Sequence, residues 1–143
     1  MNAPFLNNKF IVEIDGISRS GFTEVSFFDA STDWIEYREG AHPNYLQKLG
    51  GLKRFGVMTL KTGVTDSMEL SQWYRNFSDD PSQQNKKAIS VVVLDAKGVP
   101  AARFAILNAW PVKYAVGPLN AKGKEVLHES LDIVFEEIQR IRP

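Results

Sequence analysis

With 143 residues, 43% of them hydrophobic and 24% charged, the chain is sized for one domain that can bury a core without metals or disulfide staples. Lysine and arginine together number 17, as do aspartate and glutamate, so no net charge draws it to nucleic acid or to an anionic membrane. The absence of cysteine excludes a disulfide framework, thiolate zinc sites and a cysteine nucleophile.

The opening Met1-Asn2-Ala3-Pro4-Phe5 has neither the basic nor the apolar region of a signal peptide. No uninterrupted apolar stretch is longer than that at residues 91–94, which is too short to cross a bilayer. The expectation is a soluble protein made in the cytoplasm, with no membrane insertion by this chain.

In chain order, Phe10, Val12 and Ile14 alternate with charged residues and predict a strand, closed by the turn pair Asp15-Gly16. A second strand is expected over 22–28, with Val25 and Phe27 on one face and Glu24 and Ser26 on the other. A third is expected over 32–38, where Ile35 and Tyr37 oppose Trp34, Glu36 and Arg38. Residues 40–55 hold three glycines, a proline and several leucines, and are expected to form a long loop whose apolar content argues against free disorder. A fourth strand is expected over 55–61, leaving at Thr62-Gly63.

One helix is predicted. Asp66 or Ser67 caps it, Leu70, Trp73, Tyr74 and Phe77 recur at helical spacing, and Asp79-Asp80-Pro81 stops it. A β-branched run at 89–94 then turns through Asp95-Ala96-Lys97-Gly98 into a strand at 102–108. Pro111 is expected to break the next segment and Gly117-Pro118 to end it. The tail from Glu125 fits both a helix (Leu127, Leu131, Val134, Ile138) and a strand (Leu127, Glu129, Leu131, Ile133, Phe135), and periodicity leaves both open.

Two candidate hairpins emerge, 22–38 and 87–108. Each has an apolar face (Val25, Phe27, Ile35, Tyr37; Ile89, Val91, Phe104, Ile106) and a more polar one, as suits a sheet packed on one side and wet on the other. Charge is segregated along the chain: residues 1–40 are acid-rich, whereas 41–64 carry only the basic Lys48, Lys53, Arg54 and Lys61 among charged side chains. Such segregation could serve a head-to-tail contact between copies. Charge runs of this kind are more often ordinary solvated faces.

The order of motifs resembles the phage tail tube family, shared by contractile phages and phage-derived injection systems. The similarity is carried by Asn8-Lys9-Phe10-Ile11-Val12-Glu13-Ile14-Asp15-Gly16, Phe22-Thr23-Glu24-Val25-Ser26 and Glu36-Tyr37-Arg38-Glu39-Gly40. It continues through Leu49-Gly50-Gly51-Leu52-Lys53, Thr59-Leu60-Lys61-Thr62-Gly63, Leu70-Ser71-Gln72-Trp73, Asn108-Ala109-Trp110-Pro111-Val112-Lys113 and Leu119-Asn120-Ala121. The chain departs from the pattern at Gly50, where the family has proline, and at Val134-Phe135-Glu136-Glu137, which lacks the family's His-Glu-Gly.

The resemblance implies a mainly β, sandwich- or barrel-like single domain with one flanking helix, whose last segment is a strand. It implies stacked hexameric rings, joined through two hairpins per subunit into a barrel around a channel. By the same resemblance, Tyr45, Lys48, Leu49, Leu52, Lys53 and Arg54 of the 40–55 loop are expected to contact the adjacent ring. Glu24, Ser26, Glu36, Ser90 and Arg103, on the polar hairpin faces, are expected to line the channel. The partners implied are other copies of the chain, a sheath protein, baseplate or tube-initiator proteins, tape-measure or cap proteins, and a cargo of protein or DNA.

No catalytic constellation is expected. His42 and His128 have no metal-ligand spacing around them, Asp79-Asp80 reads as a helix stop, and no phosphate-cradling glycine loop or Gly-x-Ser-x-Gly is present. No cofactor is expected. Trp73 is assigned to the core, Trp110 to a corner fixed by Pro111, and Trp34 alone to a possible interface. Two other readings stand beside the tube subunit: a tube-initiating or baseplate-proximal paralogue, and a monomeric β-sandwich binding module.

Overall fold

A computed structural model describes residues 3–17, 21–37, 47–82 and 85–143, with Gln47 described in its backbone only. Among these lie nine strands and one helix: β1 (Phe10–Ile14), β2 (Phe22–Val25), β3 (Ala30–Tyr37), β4 (Gln47–Phe55), β5 (Met58–Gly63), α1 (Glu69–Asp79), β6 (Lys87–Leu94), β7 (Pro100–Val116), β8 (His128–Val134) and β9 (Glu137–Ile141). Every strand pairing is antiparallel. The fold is mainly β with one helix, and the ambiguous tail is two strands.

Seven strands form one hydrogen-bonded sheet: six follow the path β1-β6-β7-β8-β5-β2, and β9 is added to β7. The long β7 makes this path a sandwich by serving both layers. Its first part pairs with β6 and β9, and from Trp110 onward it pairs with β8. The transfer happens at Asn108, whose φ of 53° is left-handed. Asparagine is among the few side chains that tolerate this region. On the β6 side, three residue steps along β7 (106 to 109) match two along β6 (89 to 87), so the corner is also a bulge.

Pro111 does not break β7. From 110 onward that strand pairs only with β8 and is therefore a sheet edge, where a missing N–H costs no ladder bond. A second register shift between Pro111 and Lys113 absorbs the irregularity.

The core lies between the layers. Val12, Ile14, Ile89, Val91 and Ile106 from one layer meet Met58, Leu60, Leu131 and Ile133 from the other, all buried. The helix closes the sandwich with Leu70, Trp73 and Phe77, spaced for one face. The Trp73 indole donates to the Asn85 carbonyl at 2.9 Å, and Phe77 stacks on Trp110 with centroids 4.6 Å apart. Thus Trp73 is core and Trp110 a packed corner. The helix begins later than expected, by one residue from a Ser67 cap and two from an Asp66 cap: Met68 is the N-cap and makes no side-chain capping bond.

The stretch expected as one hairpin, 22–38, is split. Instead of turning back on β2, β3 leaves the sandwich and pairs with β4, while β2 pairs with β5. Residues 47–55 of the expected loop are therefore a strand, and residues 40–46 lie outside the described part. The second expected hairpin, β6–β7, is present, and its turn is closed by Gly98 N–H donating to Asp95 O at 3.0 Å.

Candidate functional site

The ribbon formed by β3 and β4 is a separate two-stranded sheet. Its register pairs Ala30 with Phe55, Thr32 with Lys53, Trp34 with Gly50, Ile35 with Leu49 and Glu36 with Lys48. A bulge between Thr32 and Trp34 adds one residue on β4 at Gly51-Leu52. Gly51 suits that place: a Cβ there would stand 3.0 Å from the Asp33 carbonyl oxygen.

Strand alternation gives the ribbon two distinct faces. Trp34 and Glu36 share one with Lys48, whose ammonium lies 4.9 Å from the Trp34 ring centroid. Ile35 and Tyr37 share the other with Leu49. On the sequence pattern Val25, Phe27, Ile35 and Tyr37 form a packed apolar face, but in the structure Ile35 is 59% exposed and Phe27 96% exposed. Leu52, at 74%, and Trp34, at 57%, are likewise open. The cause is topological. β3 has left the sandwich, so among the described residues neither ribbon face has a layer packed on it, and the base is anchored through Phe55 against Phe135 at 5.6 Å.

The expected site residues fall on three surfaces. Lys48, Leu49, Leu52, Lys53, Arg54 and Glu36 are brought together on the ribbon. Ser90 and Arg103 sit on the outer face of the β1–β6–β7 layer, where Glu13 is opposite Ser90 and its carboxylate lies 3.7 Å from the Arg103 guanidinium. Glu24 and Ser26 lie at the β2 edge of the other layer. Glu24 is 3.8 Å from the Lys61 ammonium, and the Ser26 hydroxyl accepts from Thr59 N–H at 2.8 Å. The two acidic and basic stretches of the chain therefore meet within one subunit, most closely at Arg54–Asp33, 2.8 Å apart. Tyr45 and His42 lie outside the described residues.

Sequence reasoning missed the register that makes Glu36 and Lys48 neighbours. The signal was present in the alternation of residues 47–50, but Gly50-Gly51 reads more readily as a turn. It also missed one buried polar contact, the Tyr114 hydroxyl donating to Glu129. Glu129 is buried, and a buried carboxylate needs such a partner. Among the described residues no cluster of three or more histidine, cysteine or acidic side chains could hold a metal, and no helix is long and apolar enough to cross a membrane.

Known structures share this architecture. A chain of the extracellular contractile injection system PVC sheath–tube complex in its extended state superposes with a TM-score of 0.83 at 22% identity, over 98% of this chain and 93% of that one. A chain of the anti-feeding prophage baseplate gives 0.81 at 20% identity, covering 99% and 98%. Hcp1 from Flavobacterium johnsoniae is more distant, at 0.57 and 17% identity over 92% and 94%. At these identities the likeness carries the fold. Among curated protein sequences, none matches the chain. The family model for T4-like virus tail tube protein gp19 matches residues 6–139, which is nearly the whole chain, and the protein belongs to that tail tube family.

Proposed function

We propose that this chain is a non-enzymatic inner-tube subunit of a contractile tail or injection particle, six copies closing a ring and rings stacking head to tail around a channel. The observation that carries the reading is the β3–β4 ribbon. A two-stranded ribbon exposed on both faces is marginal in water, and this one displays Trp34, Ile35, Leu49 and Leu52. Unpaired strand edges and open apolar side chains of this kind are satisfied by neighbouring copies.

In this reading the wet faces line the channel: Glu36 on the ribbon, Ser90 and Arg103 on the β1–β6–β7 layer, and Glu24 and Ser26 at the β2 edge. Lys48, Leu49, Leu52, Lys53 and Arg54, with Tyr45, meet the adjacent ring. The similar structures include a sheath–tube complex, a tube-terminating cap and a baseplate. By that analogy the partners are a sheath protein, a baseplate or initiator and a cap, with protein or DNA as cargo.

Electron microscopy of the concentrated protein tests this directly, with six-fold rings or short tubes expected. A strictly monomeric species at high concentration, under several salt conditions and by native mass spectrometry, would sink it.

A further inference from the structure

The outer face of the β1–β6–β7–β9 layer carries two complete rows of side chains across its four strands. Cross-strand pairing lines up Ile11, Val92, Arg103 and Ile141 in one row, and Glu13, Ser90, Ala105 and Gln139 in the next. The first row is apolar but for Arg103, and the second is polar or small. A sheet face turned to water is ordinarily the polar side of an alternation, yet Ile11 and Ile141 stand open here, each 41% exposed.

Arg103 makes this face flatter and less charged than its composition suggests. Its strand and that of Glu13 lie on either side of β6, roughly 9–10 Å apart. The guanidinium nevertheless comes within 3.7 Å of the Glu13 carboxylate, so the side chain lies across β6. Val92, its direct cross-strand partner, is buried although it stands outside the core cluster, as an apolar arginine stem laid over it would require. Lys9, at the end of the same face, donates to the Ala96 carbonyl at 3.1 Å. Among the described residues, both cations of the face are therefore engaged, and the carboxylates of Glu13 and Glu137 balance them in number.

We propose that this face is a contact surface for a polypeptide cargo. This rests on the ring reading above, in which Ser90 and Arg103 line the channel, and names the class of cargo. Nucleic acid is held through phosphates neutralised by lysine and arginine, and single strands also by stacking on aromatic rings. The two rows offer neither an unengaged cation nor an aromatic ring. A hydrated polyanion gains nothing from exposed isoleucine. A polypeptide instead brings apolar side chains to Ile11 and Ile141, and uncharged backbone groups to the Ser90 hydroxyl and the Gln139 amide. Such contacts are few per subunit and repeat around the ring, so they hold a chain in the channel and still let it leave.

The test sediments assembled rings with two dye-labelled probes, a short peptide of leucine, serine and glycine and an oligothymidylate of equal length. Rings should carry the peptide down at low and high salt and leave the oligonucleotide in solution. The same peptide joined to a polymer too large for the channel should stay in solution too. Ile11→Thr with Ile141→Thr keeps the β-branched shape that suits a strand and is expected to weaken peptide retention about tenfold. Ile11→Val with Ile141→Val should retain it nearly as the parent does. Rings that retain the oligonucleotide, release the peptide or hold the bulky conjugate would overturn the cargo contact and leave the ring reading intact. So would a threonine variant whose rings bind the peptide at parental strength. A threonine variant that folds but forms no rings would make these isoleucines subunit contacts, and would overturn the proposal as well. No rings from the parent chain under any condition would overturn both readings.

Discussion

Asn108 holds a left-handed backbone at the point where β7 changes layers, so its side chain is tied to the fold by conformation as much as by contact. Left-handed geometry costs an ordinary L-residue about 1–2 kcal/mol and is worst for β-branched side chains. Asn108→Val is therefore expected to lower stability by about 1–2 kcal/mol in urea unfolding, whereas Asn108→Gly should lie close to the parent. Equal losses from both would mean that the side chain's bonds, not the backbone, set the requirement. A corner was legible from Trp110-Pro111, but its position was not, because the chain continues as strand through the proline. At the other extreme, Arg54 and Asp33 form a close pair with side chains 68% and 44% exposed. Exposed pairs contribute only about 0–1 kcal/mol, so a double-mutant cycle to alanine should find a coupling near the low end of that range.

The helix and the ribbon are opposite kinds of element. Leu70, Trp73 and Phe77 bury one helical face on the sandwich, and this spacing was readable because period and burial agree. Trp73→Ala removes a buried indole and its bond to Asn85, and is expected to cost about 3–5 kcal/mol, measured as a lowered unfolding midpoint. The ribbon was misread for a physical reason. A strand with no layer on either face has no burial to impose a clean alternation, and the Gly50-Gly51 bulge shifts the phase of what alternation remains. The pattern of β3 gave its two faces correctly but not its partner, since an apolar stripe says only that something covers it. Because the ribbon adds little to subunit stability, Lys53→Glu with Arg54→Glu should leave the melting temperature nearly unchanged. The same pair should shorten tubes or make their assembly more dependent on salt. Full-length tubes from this folded double variant would place ring stacking on other residues.

At the scale of the whole molecule, the sequence disclosed the class of fold because strand period, turn pairs and one amphipathic helix are local signals. It did not disclose which strand pairs with which. β2 pairs with β5, far along the chain, and β3 pairs forward with β4 rather than back on β2. The expected channel residues consequently divide among three surfaces that no single subunit unites, and only the geometry of an assembly can make them one lining. Cysteine is introduced singly at Glu36, Ser90 and Arg103, with Met68, exposed at the helix start, as an outer reference. Assembled tubes are then treated with a small maleimide or with one carrying a polymer too large for the channel. Glu36→Cys, Ser90→Cys and Arg103→Cys should react with the small reagent and resist the bulky one, and Met68→Cys should react with both. The isolated subunits should not discriminate, since in them Glu36 is exposed and Ser90 and Arg103 are partly so. Arg103→Cys also removes the partner of the Glu13 carboxylate, a long, partly exposed contact worth about 1 kcal/mol, so the subunit should still fold. Protection that appears only on assembly, and at all three positions together, is what a shared lining requires. Equal reaction of assembled tubes with both reagents would place these faces on the outside of the tube.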